Sequence, residues 1–344
     1  DGMACRIRHG MGYTRWQKSS HGLEQDLLTF VPPEDPVKLL RLRITNQTDQ
    51  PRRLTATFYA QWLLGALGSS CKPHIVCQYD PALHAVVSRN PWRSEFSERV
   101  AFVSSTHAAH SVSGDRYDFL GREGTLANPA GLRRSDLGGG FNRGGDACAA
   151  YQVHLDLAAG ETAETVFILG QGADHAQSSE LITRYQDPAQ LEVSFSQLQS
   201  FWAHKLNAVQ VDTPDPAFDL MVNRWLIYQT LASRMMARAG FYQASGAYGF
   251  RDQLQDSLAL LQADPERVRE HILRAAAHQF EAGDVQHWWH PPQGRGVRTH
   301  CSDDYIWLAY VTARYVSSSA DHTILESRLP FLMAPPLGAD EQDR

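Results

Sequence analysis

Residues 37–44, VKLLRLRI, decide the first half of the fold. Their apolar and basic side chains alternate with a period close to two, which is typical of a strand with one buried face. A polar turn at residues 46–53 follows, and residues 53–60, RLTATFYA, alternate again, which predicts a hairpin. Further strand-like runs are residues 85–88, 100–104, 150–155 and 162–169. Many short strands with polar turns, and one long loop at residues 114–145, predict an antiparallel β-sandwich.

The composition changes near Asp187, and the second half is predicted to be all-α. Apolar side chains recur at helical spacing, and Gly283 has the character of a helix-terminating glycine. Residues 302–304, SDD, are expected to start a helix, with an N-cap and acidic first-turn residues. The predicted helices are residues 190–209, a segment after Pro216, 251–262, 265–282, 304–318 and 321–332. The predicted order is a sandwich at residues 1–186, a helical linker at 187–214 and an all-α domain at 215–344.

Composition and charge exclude several classes of function. The net charge is −6 without a long basic run, which argues against nucleic acid as a partner. No apolar run approaches the roughly 20 residues that span a bilayer, and no signal peptide is visible. The five cysteines are odd in number and scattered, which favours reduced thiols and a cytoplasmic protein.

Two short segments carry the chemistry, residues 247–256, AYGFRDQLQD, and residues 287–292, HWWHPP. Aromatic rings cover the apolar faces of a sugar, while guanidinium, carboxylate and amide groups bond to its hydroxyls. The two segments therefore predict a sugar-binding cleft, although a capping aspartate and a surface ion pair explain the first one equally well. The candidate ligands are Tyr248, Arg251, Asp252, Gln253, Asp256, Trp288, Trp289 and His290.

The second segment is a poor helix and a poor central strand because it ends in two prolines. It is predicted to be a shaped loop with one tryptophan in the core and the other facing the cleft. Its histidines lack the glutamate of a zincin motif, so no metal is expected. Four nearby residues are expected to support the loop through ion pairs, namely Arg295, Arg298, Asp303 and Asp304.

Residues 242–256, YQASGAYGFRDQLQD, and residues 283–292, GDVQHWWHPP, closely resemble the family 94 glycoside phosphorylases. Residues 294–299, GRGVRT, with Ser302, Asp303 and Asp304 after them, resemble the same family, as do RHGMGY at 8–13 and GDRYDFLGR at 114–122. Within the family these motifs look most like the C-terminal region of cyclic β-1,2-glucan synthases, and the resemblance spans essentially the whole chain.

The resemblance implies a β-sandwich, a helical linker and an (α/α)6 barrel, in that order. It implies cleavage or synthesis of β-glucosidic bonds with inversion, and control of the length of a β-1,2-glucan chain. Inorganic phosphate is the co-substrate and no other cofactor is expected. Phosphate is already a nucleophile, so one carboxylic acid suffices. Arg251 and Asp252 match the pair that holds the glycone.

The resemblance also implies that part of the machinery lies elsewhere. The family's general acid is an aspartate in a Trp-Asn-Asp motif, and this sequence contains no such motif. The acid and the phosphate ligands are therefore expected downstream of Arg344, and the chain is expected to be an inactive fragment of an incomplete barrel. A homodimer, and a parent protein attached to an inner membrane with this region on the cytoplasmic side, are compatible with the resemblance.

Three other functions remain open. The chain could be a non-catalytic carbohydrate-binding fragment that uses the two tryptophans. It could belong to a free-standing phosphorylase of β-linked oligosaccharides. It could also be a hydrolase whose acid is Asp303 or Asp304, although a helix N-terminus lowers a carboxyl pKa, which is unfavourable for an acid.

Overall fold

The computed structural model describes residues 3–65, 68–141, 144–237, 246–338 and 340–343. The chain forms two compact units, Asp1–Ser200 and Phe201–Arg344. The boundary falls inside a helix, so the predicted linker at residues 187–214 spans the end of one unit and the start of the other. In the described residues, no helix is long and apolar enough to cross a membrane.

The first unit is built mainly from antiparallel strands. An eight-stranded sheet has the order β1-β2-β3-β4-β11-β8-β7-β6, and a three-stranded sheet has the order β5-β10-β9. The strands are β1 Cys5–Gly10, β2 Tyr13–Ser20, β3 Leu23–Phe30, β4 Val37–Asn46, β5 Arg52–Gln61, β6 Val76–Asp80, β7 Ala85–Arg89, β8 Val100–Ser105, β9 Ser111–Asp115, β10 Ala147–Leu157 and β11 Thr162–Gly172. The expected antiparallel sandwich-like architecture is thus present, with five strands (β1, β2, β3, β6 and β9) that the sequence patterns did not predict.

The predicted hairpin of residues 37–44 and 53–60 is wrong. β4 pairs with β3 and β11 in the large sheet, whereas β5 pairs along its length with β10 in the small sheet. Alternation predicts that a strand has a buried face, but it does not identify the neighbour, and β4 and β5 each have a partner about a hundred residues away in sequence, β11 and β10.

The core of this unit contains side chains from both sheets. Phe167 of β11 and Val103 of β8 belong to the same buried cluster as Tyr151 of β10. The Tyr151 hydroxyl is satisfied because it donates to the backbone oxygens of His84 and His107, each at 3.0 Å. A large aromatic side chain can be fully buried when its polar end is paired in this way.

Four short helices accompany the strands of the first unit: α1 Gly68–Cys71, α2 Arg116–Leu120, α3 His175–Gln186 and α4 Ala189–Leu206, the last of which continues into the second unit. The predicted loop at residues 114–145 contains α2, which begins at Asp115 because its carboxylate accepts from the Tyr117 and Asp118 backbone N–H groups. A 3-10 turn at Ala130–Arg133 follows.

The second unit contains the expected helices, but it is not all-α as predicted, because it also contains a three-stranded sheet. Its helices are α5 Pro216–Leu220, α6 Leu226–Thr230, α7 Phe250–Ser257, α8 Pro265–Ala276 and α9 Asp304–Ser319. π-helical turns at Met221–Trp225 and Leu231–Met236 continue α5 and α6 into one helical segment. α7, α8 and α9 pack against one another. On α7 the buried residues are Phe250, Gln253, Leu254 and Ser257, which have the spacing of one helix face.

Three helix predictions were too long. The helix predicted for residues 251–262 ends at Ser257 and is followed by a 3-10 turn, Leu258–Leu260. The next helix ends at Ala276, because the backbone turns back and Phe280 N donates to Asp284 O at 2.8 Å. Gly283 lies in that turn with φ of 91°. The helix predicted for residues 321–332 is only a 3-10 turn, His322–Glu326.

A three-stranded sheet replaces the predicted loop at residues 287–292. β12 Tyr248–Gly249 pairs with β13 Gln286–His290, which pairs with β14 Arg295–Arg298. The two prolines do not interrupt the sheet because they follow the last residue of β13. Gly296 is required here, since a Cβ at this position would lie 1.9 Å from the Trp288 carbonyl oxygen.

We expect substitution of Lys205 to destabilise the second unit. Lys205 Nζ lies 2.8 Å from Asp264 Oδ2, and Asp264 is only 5% exposed, with Arg267 Nε as a second partner at 3.2 Å. Lys205→Met keeps the aliphatic stem but removes one cation from a buried carboxylate, which should lower the free energy of unfolding by about 2 kcal/mol. Urea unfolding followed by circular dichroism measures this change.

The control for this substitution is Arg53→Met. Arg53 and Asp156 pair at 3.4 Å with side chains more than 70% exposed, so the change should be below about 0.5 kcal/mol. Equal effects of the two substitutions would show that the buried pair does not stabilise the unit.

Candidate functional site

A cleft of about 270 Å³ lies beside the N-terminus of α7 and the strand β13. α7 starts directly after β12, so the sheet and the helix together fix the position of the side chains at this junction. The lining residues are Arg234, Ala247, Gly249, Phe250, Arg251, Asp252, Gln253, His287, Trp288 and His290. The two sequence segments predicted to form a sugar cleft are therefore adjacent in space.

Arg251 is held by the loop that precedes α9. Its Nη1 donates to Asp303 Oδ2 at 2.7 Å, and its Nε lies 3.7 Å from Asp252 Oδ1. The Cys301 thiol donates to the other oxygen of Asp303 at 3.0 Å. These hydrogen bonds from Cys301 and Arg251 lower the pKa of Asp303 to about 2. Asp303 therefore stays anionic and keeps the guanidinium directed along the cleft wall.

The helix start expected at residues 302–304 is confirmed, since α9 begins at Asp304, but the Asp303 side chain accepts no hydrogen bond from the first turn. Arg251 of α7 and Cys301 of the preceding loop donate to this carboxylate instead.

Asp304, in contrast to Asp303, is only 1% exposed. Its Oδ2 lies 2.6 Å from His287 Nδ1, and its Oδ1 is buried with no hydrogen-bond partner in the described part of the chain. Burial raises the pKa of Asp304, and the hydrogen bond with His287 opposes this shift. The expectation that the helix N-terminus would lower the pKa of this carboxyl is therefore wrong, because loss of solvent is the larger effect.

The two tryptophans have different environments. Trp289 is 2% exposed and stacks on His278 at 3.8 Å and on Tyr248 at 5.4 Å between ring centroids. Trp288 is 36% exposed and lines the cleft, with the His290 ring edge-on to it at 5.2 Å. Adjacent residues of a strand point to opposite faces, which explains the division between core and cleft that the sequence suggested.

Several predicted ligands have structural partners. Tyr248 is 9% exposed within the stack on Trp289, and Gln253 accepts from Gly249 N at 2.6 Å. Asp256 does not line the cleft and pairs with Arg234 at 2.5 Å. Arg251, Asp252, Trp288 and His290 remain as the predicted ligands with exposed groups in the cleft.

Arg298 supports the loop, as expected from the sequence. Its guanidinium pairs with Asp284 and donates to the backbone oxygens of Ala334 and Pro335, and it lies 3.9 Å from the centroid of the Phe280 ring. Arg295 is exposed on β14 and is absent from the cleft lining.

Among the polar side chains that line the cleft, the candidate ligands omitted two, His287 and Arg234. Arg234 lies on a π-helical turn, which no sequence pattern revealed. Strict alternation along β13 would place His287 on the face opposite Trp288, but the pairing of β13 with β14 is irregular between Gln286 and Trp288, so no local pattern indicated that His287 also lines the cleft.

His287, Cys301 and Asp304 also have the composition of a metal site. One possible ligand atom from each lies within 4.8 Å of the others, the only such group found among the described residues. Yet His287 Nδ1 and Asp304 Oδ2 are only 2.6 Å apart. Two ligands of a tetrahedral zinc ion lie about 3.3 Å apart, given zinc–ligand distances near 2.0 Å. The group fits a hydrogen-bond network better than a metal site.

We therefore expect no specific zinc binding at this cluster. Calorimetric titration with zinc chloride should show no submicromolar binding at this cluster. Cys301→Ser should therefore leave the titration unchanged. Cys5→Ser is the matched control, because Cys5 is an exposed cysteine of the other unit. Stoichiometric binding in the wild type and in Cys5→Ser, but not in Cys301→Ser, would contradict this expectation.

Comparison with known proteins assigns the family. Residues 1–188 match the glycosyl hydrolase 94 supersandwich domain, and residues 201–333 match the catalytic domain of the glycosyl hydrolase 94 superfamily. The chain therefore belongs to glycosyl hydrolase family 94, as the sequence motifs suggested.

Similar curated proteins include a glucan synthase and a phosphorylase. The chain is 39% identical over 337 residues to the cyclic beta-(1,2)-glucan synthase NdvB of Rhizobium meliloti, an alignment that covers 98% of this chain and 12% of that protein. It is 24% identical to the N,N'-diacetylchitobiose phosphorylase of Vibrio proteolyticus. That alignment covers 95% of this chain and 44% of the phosphorylase. The chain thus spans less than half the length of each.

Among solved structures, a bacterial glucoamylase complexed with acarbose has a similar fold. The TM-score is 0.59 at 8% sequence identity, and the match covers 94% of this chain and 49% of the glucoamylase. At this identity the likeness concerns the fold alone.

Proposed function

We propose that this chain is the sugar-holding part of a phosphorylase-like domain that acts on β-1,2-linked glucan with inversion, with inorganic phosphate as co-substrate. The observation that carries the proposal is the arrangement of Arg251, Asp252 and Trp288 along one cleft in a family 94 catalytic domain. Similarity to a cyclic beta-(1,2)-glucan synthase supports the choice of linkage. In the whole protein such a domain would shorten glucan chains and so control their length.

The cleft has the functional groups that bind a pyranose. Arg251 offers only donors, Asp252 offers acceptors, and the partly exposed Trp288 ring provides an apolar face. The pairing of Arg251 with Asp303 holds the guanidinium before a ligand arrives, which reduces the entropy lost on binding. We assign the glycone-side contacts to Arg251 and Asp252.

We propose that the second unit is the first part of an (α/α)6 barrel. The helices α5 to α9 lie in the region that matches the family 94 catalytic domain, and the glucoamylase supports a shared fold. The chain spans less than half the length of the two curated relatives. In this proposal the other helices of the barrel would belong to the rest of the whole protein.

The carboxyl groups beside the cleft are poor candidates for a general acid. Asp303 has a pKa of about 2, so it carries no proton at neutral pH. The pKa of Asp304 is raised, but this group is 1% exposed and bonded to His287, so it cannot contact a glycosidic oxygen. We propose that the acid is supplied by the part of the catalytic domain that carries the Trp-Asn-Asp motif, and that residues 1–344 alone bind sugar without cleaving it.

The same observations favour a second candidate function, a carbohydrate-binding role without catalysis. The two proposals predict different activities for the whole protein, but both predict that residues 1–344 bind sugar without cleaving it. The properties of Asp303 and Asp304 disfavour the hydrolase alternative, in which one of them would be the acid.

Residues 1–344 should release no glucose 1-phosphate from linear β-1,2-glucan and phosphate. The assay is a coupled measurement of glucose 1-phosphate, with an active family 94 phosphorylase and its own substrate as the positive control. Measurable phosphate-dependent release by the chain would contradict the assignment of the acid to another segment. Release of reducing sugar without phosphate would support the hydrolase alternative instead.

The same chain should bind β-1,2-linked glucose oligosaccharides in the cleft. Arg251→Ala removes several charge-assisted hydrogen bonds and should weaken binding roughly 30-fold, and Trp288→Ala should weaken it about tenfold through loss of the apolar face. Isothermal titration calorimetry measures both changes.

Arg53→Ala and Trp92→Ala are the matched controls, because both residues are exposed and lie in the other unit. If the four variants bind alike, the cleft is not the sugar site.

A further inference from the structure

Asp304 and His287 form a hydrogen-bonded pair at the wall of the cleft, in which only Asp304 is buried. His287 lies on β13 and is 37% exposed, and it lines the cleft. Asp304 begins α9 and is 1% exposed. The distance between His287 Nδ1 and Asp304 Oδ2, 2.6 Å, is that of a short charge-assisted hydrogen bond.

The chemistry of the two groups determines where the proton lies. Burial raises the pKa of Asp304, but the hydrogen bond with His287 and the N-terminus of α9 both favour its anionic form, so we place the shared proton on the imidazole. Asp304 is then a carboxylate, which can only accept, and His287 Nδ1 must carry the hydrogen. In the neutral imidazole the hydrogen on Nδ1 leaves Nε2 with a free lone pair.

Asp304 is well placed to maintain this state. It is in the first turn of α9, where backbone N–H groups and the helix dipole stabilise a negative charge. Its second oxygen is buried and has no partner within the described ranges, so the carboxylate depends on His287 for its hydrogen bond. A buried anion with one partner holds that partner tightly, because loss of the bond would leave the charge unsatisfied.

We propose that Asp304 is a positioning residue that fixes the tautomer of His287, so that His287 Nε2 accepts a hydrogen bond from a sugar hydroxyl in the cleft. This inference rests on the proposed function, since it names how the same cleft recognises its ligand. Arg251 can only donate, so the hydroxyl that it contacts must accept a hydrogen bond. The hydroxyl that contacts His287 Nε2 must donate one.

The pair therefore predicts a specific form of selectivity. A hydroxyl donates and accepts, whereas a fluorine substituent can accept only weakly and cannot donate. Replacement of the hydroxyl that contacts His287 by fluorine should weaken binding about tenfold, the usual result of losing one good hydrogen bond. A hydroxyl that donates to Asp252 should carry a penalty of its own, but only the penalty at the His287 contact should depend on Asp304.

The first test is the tautomer itself, measured without sugar. Nitrogen-15 NMR of the histidine side chains at about pH 8, above the ordinary imidazole pKa, distinguishes hydrogen on Nδ1 from hydrogen on Nε2. The His287 signals are assigned by their loss in His287→Gln. We expect hydrogen on Nδ1, and hydrogen on Nε2 would overturn the inference whatever the chain binds.

The second test uses a β-1,2-linked glucose disaccharide and its monofluoro analogues in calorimetric titrations of three proteins. In the wild type the analogues that lack a donating hydroxyl should bind about tenfold more weakly. In Asp304→Asn the amide can donate to Nδ1 and release the hydrogen to Nε2, so the penalty should largely disappear at one position, the His287 contact, and persist at the others. Asp156→Asn is the control, because this aspartate is exposed in the other unit and the wild-type pattern should persist.

The outcomes separate the two proposals. Identical analogue profiles in the wild type and in a folded Asp304→Asn would overturn the positioning role while leaving sugar binding intact. Absence of disaccharide binding by the wild type, with hydrogen on Nδ1 as expected, would instead remove the proposed function and the recognition that rests on it. Loss of folding in Asp304→Asn, seen by circular dichroism, leaves the decision to the wild-type tautomer and to His287→Gln, which should bind the disaccharide about tenfold more weakly.

Discussion

The consecutive carboxylates Asp303 and Asp304 are the constraint on which the cleft depends. One carboxylate faces the solvent side and holds Arg251 through a charge-assisted hydrogen bond, while the next is buried and holds His287. Because both belong to the start of α9, a single backbone segment fixes a side chain of α7 and a side chain of β13. The cleft is therefore defined by the tertiary contacts of α9 as much as by the residues that line it.

The opposite environments of these two carboxylates also determine what they can do. Exposure with two donors makes Asp303 a permanent anion, and burial with one donor makes Asp304 harder to ionise. Neither condition suits a group that must deliver a proton to a glycosidic oxygen. The physical chemistry of the site agrees with a wall that binds a sugar and with a catalytic acid supplied from another part of the whole protein.

The sequence predicted correctly the features that depend on neighbouring residues, and it failed for features that depend on contacts between distant segments. Alternation at residues 37–44 correctly indicated a strand, since the burial of one face is a local property. The hairpin with residues 53–60 was wrong because strand pairing is decided by partners far along the chain, β11 for one strand and β10 for the other. Residues 287–290 were predicted as loop because of the neighbouring prolines, but β14 and Gly296 allow a strand there.

The sequence by itself determined the family, the succession of a β-rich unit and a helix-rich unit, and the two segments that line the cleft, because these depend on motifs and on local patterns of side chains. Only the tertiary structure decided which candidates reach the cleft. It buried Trp289 and Tyr248, exposed Trp288, joined Asp303 to Arg251, and brought His287 beside Asp304. Hydrogen bonding and burial between segments that are distant in sequence set these roles, and no local pattern encodes them.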